Sequence, residues 1–281
     1  ADKQFVPHST LYVSLEPCSH HGKTPPCADR IIRERIPEVV IACRDPFPLV
    51  DGSGIEKLLR SGISVKQGIL ETEAINLNKR FFIFHQKQRP YIILKWAQSA
   101  DGNISGHDKK RVQISNSITN KLVHQWRSAE AAIMVGTETA LLDNPALTNR
   151  TAGGKQPLRI IIDRNLRLPG SLEIFNTDAS TIIFNTVLEE KRGNIYYCKL
   201  EDEKDLLPGI LKKLYSLHIL SVLVEGGKTL HESFFQSGNF DEVRRIIALE
   251  KYLPDGYPAP ALPEMSLIDS VQILTDRIDY F

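Results

Sequence analysis

The sequence predicts an α/β protein built from two domains. Three observations carry this expectation. Short apolar runs rich in β-branched residues alternate with stretches of helical spacing along most of the chain. The alternation is interrupted once, at the basic, turn-bearing stretch His85-Gln86-Lys87-Gln88-Arg89-Pro90. The chain has 281 residues, 42% hydrophobic and 25% charged, enough for one large packed core or two smaller ones. The boundary is placed in that stretch, giving domains of residues 1–86 and 87–281.

The elements follow in order. Thr10 to Leu15 reads as a strand. A helix is expected from about Pro26 to Arg35, with Thr24 as its cap and the two prolines in its first turn, where a missing N–H costs nothing. Val39 to Ala42 is a buried strand, Gly54 to Ser61 a short helix stopped by Gly62, and Ser64 begins a third strand. This βαβαβ order implies a parallel or mixed sheet whose first strand lacks an upstream neighbour. Beyond the boundary, strands are expected at Tyr91–Lys95, Ala131–Val135, Leu158–Ile162, Thr181–Phe184, Ser221–Val224 and Val243–Leu249, with one or two more within 271–281. Helices are expected at Ser117–Trp126, at Asp205–Leu217 with Pro208 in the first turn, and from about Thr229. Trp96, Trp126 and Phe234-Phe235 read most simply as core.

Composition excludes several classes. Lys plus Arg number 35 and Asp plus Glu 34, a net charge of +1, so no global field gathers nucleic acid or an anionic membrane. Mean hydropathy is -0.20 and no apolar run approaches the ~20 residues of a bilayer crossing. No charged-then-apolar leader is present, and a cytoplasmic location is expected. The sequence opens on Ala1 rather than Met and soon reaches strand-like residues, so a chain lacking its natural start is expected. Four cysteines are too few for a disulfide scaffold. Cys43 and Cys198 lie in apolar runs as buried thiols, whereas Cys18 and Cys27 flank a polar, proline-rich segment.

That segment, Glu16-Pro17-Cys18-Ser19-His20-His21-Gly22-Lys23-Thr24-Pro25-Pro26-Cys27, puts one cysteine at a strand end and the other in the first turn of a helix. A helix N-terminus favours thiolate, and nucleobase deaminases hold zinc at such a junction. Two structural cysteines, or a closed site adding His20 and His21, fit the spacing equally well. In the second domain, Glu225-Gly226-Gly227 joins a buried strand to a helix, where backbone N–H groups can receive a phosphate. The G-x-G-x-x-G fingerprint of a Rossmann domain is absent. Lys95 lies in an apolar strand and needs a partner, either Glu225 or Asp101, and a simple ion pair pinning two strands is an equal reading.

Residues 10–78, through Leu-Glu-Pro-Cys-Ser-His at 15–20, Gly-Lys-Thr-Pro-Pro-Cys at 22–27 and Asp45-Pro46, resemble the deaminase half of the bifunctional deaminase/reductase family of riboflavin biosynthesis. From about Arg89 onward the chain resembles that family's reductase half. The motifs are Leu94-Lys95-Trp96-Ala97-Gln98-Ser99-Ala100-Asp101-Gly102, Val135 to Thr139, Asp143 to Arg150, Leu158 to Arg164 and Val224 to Leu230.

The resemblance implies a partial cytidine-deaminase-like domain followed by a dihydrofolate-reductase-like reductase domain. It implies Zn2+ on Cys18 and Cys27, with His20 and His21 on the substrate side. The family's His-Ala-Glu motif, which carries the third ligand and the proton-shuttling Glu, is absent, so deamination by this chain is doubtful. It implies NADPH contacts from Gly227, Lys228, Thr229, Leu230, His231, Glu232 and Ser233, and from Ala97, Gln113, Thr139, Asp143 and Arg164. Arg164 departs from the family's small hydroxyl residue and is a candidate partner of the cofactor's 2′-phosphate.

Substrate contacts are implied for Arg111, Arg127, Leu147, Arg150 and Glu225, with the arginines suited to a sugar phosphate. Lys95, Asp101 and Glu225 are the candidates for proton and sugar contacts. The implied reaction reduces the ribosyl group of 5-amino-6-(5-phosphoribosylamino)uracil to ribityl. The implied partners are this small-molecule substrate and further copies of the chain, as a homodimer or higher oligomer, with no nucleic acid or membrane. A different class remains open, in which the front domain is a non-catalytic zinc-binding or dimerisation module fused to the reductase.

Overall fold

A computed structural model of the chain describes residues 3–22, 24–48, 50–107, 112–150, 153–201 and 204–281. The chain divides into two compact units, residues 1–88 and 89–281.

In the first unit, β1 (Thr10–Leu15), β2 (Glu38–Cys43) and β3 (Ser64–Gln67) form a parallel sheet in the order β1-β2-β3. Between them run α1 (Cys27–Arg33) and α2 (Ser53–Arg60), followed by α3 (Glu71–Leu77) and α4 (Lys79–Lys87). The sheet and first two helices close over a core of Ala28, Ile31, Val39, Ile41, Ile55, Leu58 and Ile63.

Two expectations change here. Thr24 does not cap α1. Pro26 occupies the cap position in an extended conformation and no side chain accepts there, because a proline turns the residue before it away from helix. The stretch His85 to Lys87 is helix rather than turn. Its pattern is overridden by packing: Phe82 and Phe84 are buried, and the His85 ring lies 4.4 Å from Phe81 and 4.8 Å from Phe47. The chain turns only at Gln88, whose φ is 51°.

The second unit contains β4 (Tyr91–Ser99), β5 (Asn103–Ser105), α5 (Ser117–Ala129), β6 (Ala132–Gly136), α6 (Thr137–Asp143), β7 (Leu158–Ile162), β8 (Thr181–Asn185), β9 (Glu190–Arg192), β10 (Ile195–Lys199), α7 (Leu207–Ser216), β11 (Ser221–Val224), α8 (Lys228–Ser237), β12 (Glu242–Ala248), β13 (Tyr257–Pro258), β14 (Asp269–Ile273) and β15 (Asp276–Tyr280). Ten strands form one sheet in the order β14-β15-β12-β4-β11-β6-β7-β8-β10-β9. Its seven central strands, β12 to β10 in that order, are parallel; β15, β14 and β9 add antiparallel edges.

Strands covered on both faces read as continuous apolar runs. Ile92 to Leu94, Ile133, Met134, Ile160, Ile161 and Val222 to Val224 are fully or almost fully buried. The Asn116 side chain caps α5 by accepting from the N–H groups of Ile118 and Thr119, both at 3.0 Å. Arg89, which as sequence belongs to the basic linker, is buried in this unit and forks onto Asp241 at 2.5 and 2.7 Å. The strand order reverses at β11. The chain steps outward from β4 through β6, β7, β8 and β10, then returns to insert β11 between β4 and β6. In such sheets a crevice opens at the carboxyl ends of the strands beside the reversal.

Candidate functional site

A cleft of about 670 Å³ opens at that reversal. One wall is Lys95, Trp96 and Ala97 of β4, and the other is the stretch from Glu225 through Leu230, which carries β11 into α8. Gly136 to Thr139 at the β6–α6 junction, with Leu142 and Asp143, line the middle. Ile162, Arg164 and Arg167 beyond β7 and Lys204 to Leu207 before α7 close one end, while Ile104, Ser105, Gln113 and Tyr257 also line it.

The glycine junction is a close approach of backbones. A Cβ on Gly226 would meet Leu230 Cδ2 at 2.6 Å and the Gly136 nitrogen at 3.4 Å, and one on Gly227 would meet Thr139 Oγ1 at 3.2 Å. No side chain caps α8 at Gly227. The donor end of a ten-residue helix therefore meets the cleft without a competing acceptor from its own cap.

A cluster of buried charge lies beside it. Glu225 receives the Arg127 fork at 2.8 and 2.7 Å and has the Lys95 ammonium at 3.7 Å. Burial opposes the carboxylate's charge, but Arg127 and Lys95 outweigh it and hold its pKa at about 2. Burial pushes the Lys95 pKa down, with Arg127 adding to that and Glu225 opposing it. Arg127 stays firmly charged, since Glu225 outweighs its burial. Burial, then Arg127 and Arg150, push His124 below its ordinary value.

Of the expected cofactor residues, Ala97, Gln113, Thr139, Asp143, Arg164, Gly227, Lys228, Thr229, Leu230 and Ser233 line the cleft, as do Lys95 and Glu225. His231 and Glu232 do not. His231 is fully buried under α8 and Glu232 pairs with Lys228 at 3.7 Å, because side chains four residues apart share a helix face.

Four further candidates lie outside the open cleft or are committed to protein partners. Asp101 is exposed outside the cleft and accepts from Ser99 Oγ at 2.5 Å and from the Leu253 N–H at 3.1 Å. The partner of Lys95 is thus Glu225, and Asp101 pins a turn. Leu147 is 2% exposed and belongs to the core around Ile133, Val135 and Ile161. Arg127 gives its fork to Glu225 rather than to the open cleft. Arg150 is exposed outside the cleft, and its N–H donates to His124 Nδ1 at 3.3 Å. Arg111 lies outside the described residues.

Sequence reasoning did not find Lys204 or Tyr257, which reach the cleft from distant segments with no motif of their own. Trp96, read as core, is 5% exposed and also lines the wall.

In the first unit, the Cys27 N–H donates to Cys18 Sγ at 3.3 Å, so the two cysteines do come together. Burial and the neighbouring Cys18 raise the Cys27 thiol. Among the described residues no group of three or more His, Cys, Asp or Glu is placed to hold a metal. Glu16 is turned away into the interior. Its carboxylate accepts N–H groups from Gly52 at 2.9 Å, Gly54 at 2.9 Å, Ile55 at 3.2 Å and Asp45 at 3.3 Å. The His20 ring faces Phe47 at 5.6 Å, and its buried Nδ1 has no hydrogen-bond partner among the described residues.

Comparison with known proteins matches residues 90–248 to the RibD C-terminal domain. The chain is 39% identical over 281 aligned positions to the riboflavin biosynthesis protein RibD of Aquifex aeolicus, covering 96% of this chain and 77% of that protein. The chain belongs to the RibD family. Solved RibD structures align along nearly its whole length. Acinetobacter baumannii RibD superposes with a TM-score of 0.89 at 30% identity, covering 100% of this chain and 82% of that one. The diaminohydroxyphosphoribosylaminopyrimidine deaminase/5-amino-6-(5-phosphoribosylamino)uracil reductase of Thermotoga maritima gives 0.86 at 34% identity, covering 96% and 78%. The ten-stranded mixed α/β sheet of the second unit is thus the RibD reductase architecture. No helix among the described residues is long and apolar enough to cross a membrane.

Proposed function

We propose that residues 89–281 are an NADPH-dependent reductase of riboflavin biosynthesis that converts the ribosyl group of 5-amino-6-(5-phosphoribosylamino)uracil to ribityl. The observation that carries the reading is the cleft itself. A glycine cradle where an added Cβ would crowd Leu230 and Thr139, and an uncapped helix beside Glu225, face Lys95 across one crevice. A dinucleotide phosphate fits the donor end of α8, and Gly227, Lys228, Thr229, Thr139 and Ala97 would hold the cofactor. NADPH when bound supplies a hydride to the sugar C1′.

The chain's own residues orient and protonate. Glu225, ionised throughout the neutral range, accepts from sugar hydroxyls and keeps Lys95 aligned. Lys95, whose burial loosens its proton, gives that proton from Nζ to the ring oxygen as the sugar opens. Arg127 holds Glu225 in place. Arg164, whose Nη1 donates to the Lys204 carbonyl at 3.3 Å, stands at the cleft end occupied by Arg167 and Lys204 and suits the 2′-phosphate.

For residues 1–88 the proposed reading is part of a deaminase domain in which Cys18 and Cys27 are two ligands of a zinc ion. These two thiols are a half-site, and Glu16 is committed to backbone donors. No deamination step is assigned to residues of this chain. A cytoplasmic, homo-oligomeric enzyme with no nucleic-acid or membrane partner completes the reading.

The test is NADPH oxidation, followed at its absorbance maximum, with the deaminated substrate. Turnover sensitive to Lys95→Met is expected. NADPH binding without turnover of that substrate would overturn the substrate assignment, and no NADPH binding would overturn the reductase assignment.

A further inference from the structure

His231 is a fully buried titratable group of the second unit that the mechanism leaves unused. It lies one turn into α8, fully buried, with its ring edge-on to Trp96 at 5.4 Å. Nδ1 is 3.0 Å from the Gly227 carbonyl oxygen and Nε2 is 3.2 Å from the Lys95 carbonyl oxygen. The first oxygen belongs to the residue at the head of α8. The second lies one residue beyond Leu94, where the ladder between β11 and β4 ends. The ring therefore bridges the two walls of the cleft through backbone atoms, from behind.

Carbonyl oxygens only accept. A neutral imidazole has one N–H, satisfies one of the two carbonyls and sets a bare nitrogen lone pair against the other. An imidazolium satisfies both. Burial, and after it the Lys95 ammonium, oppose the second proton and push the ring below its ordinary value, while the facing carbonyls favour it. The charged groups on the surrounding elements are Lys95 on β4, Glu225 after β11 with Arg127 behind it, Glu242, Arg244 and Arg245 on β12, and Lys228 and Glu232 on α8; Lys95 is the one that weighs on the ring. A polyanion arriving at the first turn of α8 changes that balance toward the cation.

We propose that His231 couples dinucleotide binding to proton uptake: its ring takes a second proton from solvent when phosphates settle on the first turn of α8, and the imidazolium then ties that turn to β4 at Lys95. This rests on the cofactor reading of the cleft. His231 is a positioning residue and does not touch the cofactor. The sign follows from linkage. If binding takes up a proton, affinity rises as pH falls, by at most about tenfold per pH unit, between the ring's loaded and free values. Below the free value the ring is already charged and the dependence vanishes.

The experiment is calorimetric titration of the full chain with NADPH from about pH 5 to 8, in buffers of different ionisation enthalpy. It compares the unaltered chain with His231→Gln, whose amide donates to one carbonyl without titrating. Protons exchanged by the cofactor's own phosphates are common to both proteins and cancel. The unaltered chain is expected to take up as much as one more proton than the variant. Its log affinity is expected to fall with pH more steeply, by up to one unit per pH unit. As a readout independent of the variant's folding, nitrogen-15 spectra of the histidine rings should show one imidazole becoming doubly protonated when NADPH is added. Equal proton uptake, parallel pH profiles or unchanged ring spectra with NADPH bound would overturn the inference and leave the cofactor reading standing. Absence of NADPH binding would overturn both.

Discussion

Each unit carries a largely buried glutamate just past a strand end, Glu16 and Glu225, and the two are neutralised in opposite ways. Glu16, 3% exposed after β1, is met by four backbone N–H groups from the loop and first turn of α2. Glu225, after β11, is met by two side-chain cations, Arg127 and Lys95, beside an open cleft. A carboxylate satisfied by backbone cannot change partners without unfolding the loop that holds it. One satisfied by side chains can share its charge with a ligand. The difference teaches that burial and acidity alone do not mark a chemical group; the identity of the neutralising partners does.

The sharpest way to break this comparison is Glu225→Gln. It leaves Lys95 and Arg127 buried without a counter-charge, and stability is expected to fall by about 3–5 kcal/mol. NADPH oxidation is expected to fall at least about 100-fold. Unaltered turnover in a folded variant would make Glu225 a packing group of the same kind as Glu16.

The matching test in the first unit is Gly54→Ala. The added Cβ would lie 1.9 Å from the Pro17 carbonyl oxygen, and backbone must move away from Glu16. A loss of about 3 kcal/mol or somewhat less is expected in the unfolding of residues 1–88, read by calorimetry. NADPH affinity should be unchanged; a parallel loss of affinity would contradict the separation of roles.

Acid sharpens the contrast further. With its pKa held at about 2, against about 4.3 when unfolded, Glu225 contributes about 3 kcal/mol. Because the folded value is depressed, that contribution is full above the unfolded value and is lost as pH falls toward 2. Denaturant unfolding of the second unit at pH 7, 4 and 3 should show the loss confined to the lower pair. A flat profile would mean that the cations do not hold the carboxylate.

Arg164→Ser should weaken NADPH binding by about 1–2 kcal/mol and leave NADH binding unchanged. Equal losses for both would assign Arg164 to the loop rather than the phosphate. The smallest effect is expected from Cys18→Ser, which should leave the rate of NADPH oxidation unchanged while lowering bound zinc measured by mass spectrometry.

Much of the fold was legible in the residues. Ile92 to Leu94, Ile160 to Ile162 and Val222 to Val224 announce buried parallel strands by composition alone. Pro208 marks the start of α7 and Gly62 the end of α2 as their chemistry requires. The stretch around His85 was misread because its basic residues outweigh Phe82 and Phe84 locally, although those two rings decide the packing. The motif at 224–230 supplied the glycine cradle and Glu225, and the motif at 94–102 supplied Lys95. His231 lies under α8 and not in the cleft because a run of consecutive residues on a helix faces every direction, and only some of them meet the cleft. Asp101, Leu147 and Arg150 stand outside the cleft lining, since proximity in a motif says nothing of where a side chain points.

By itself the sequence determined most of the buried strands, the helices α5, α7 and α8 and the glycine junction at 226–227, since these follow from short-range sterics and hydrophobic pattern. It also identified the charged residues that cannot be buried alone. Only the tertiary structure decided who pairs with whom. Arg127 and Glu225 are 98 residues apart, Glu16 and Gly54 are 38 apart, and Lys95 and His231 are 136 apart. Partners at such separations are chosen by how the strands are ordered in the sheet, a property of the whole chain's packing that no local window contains.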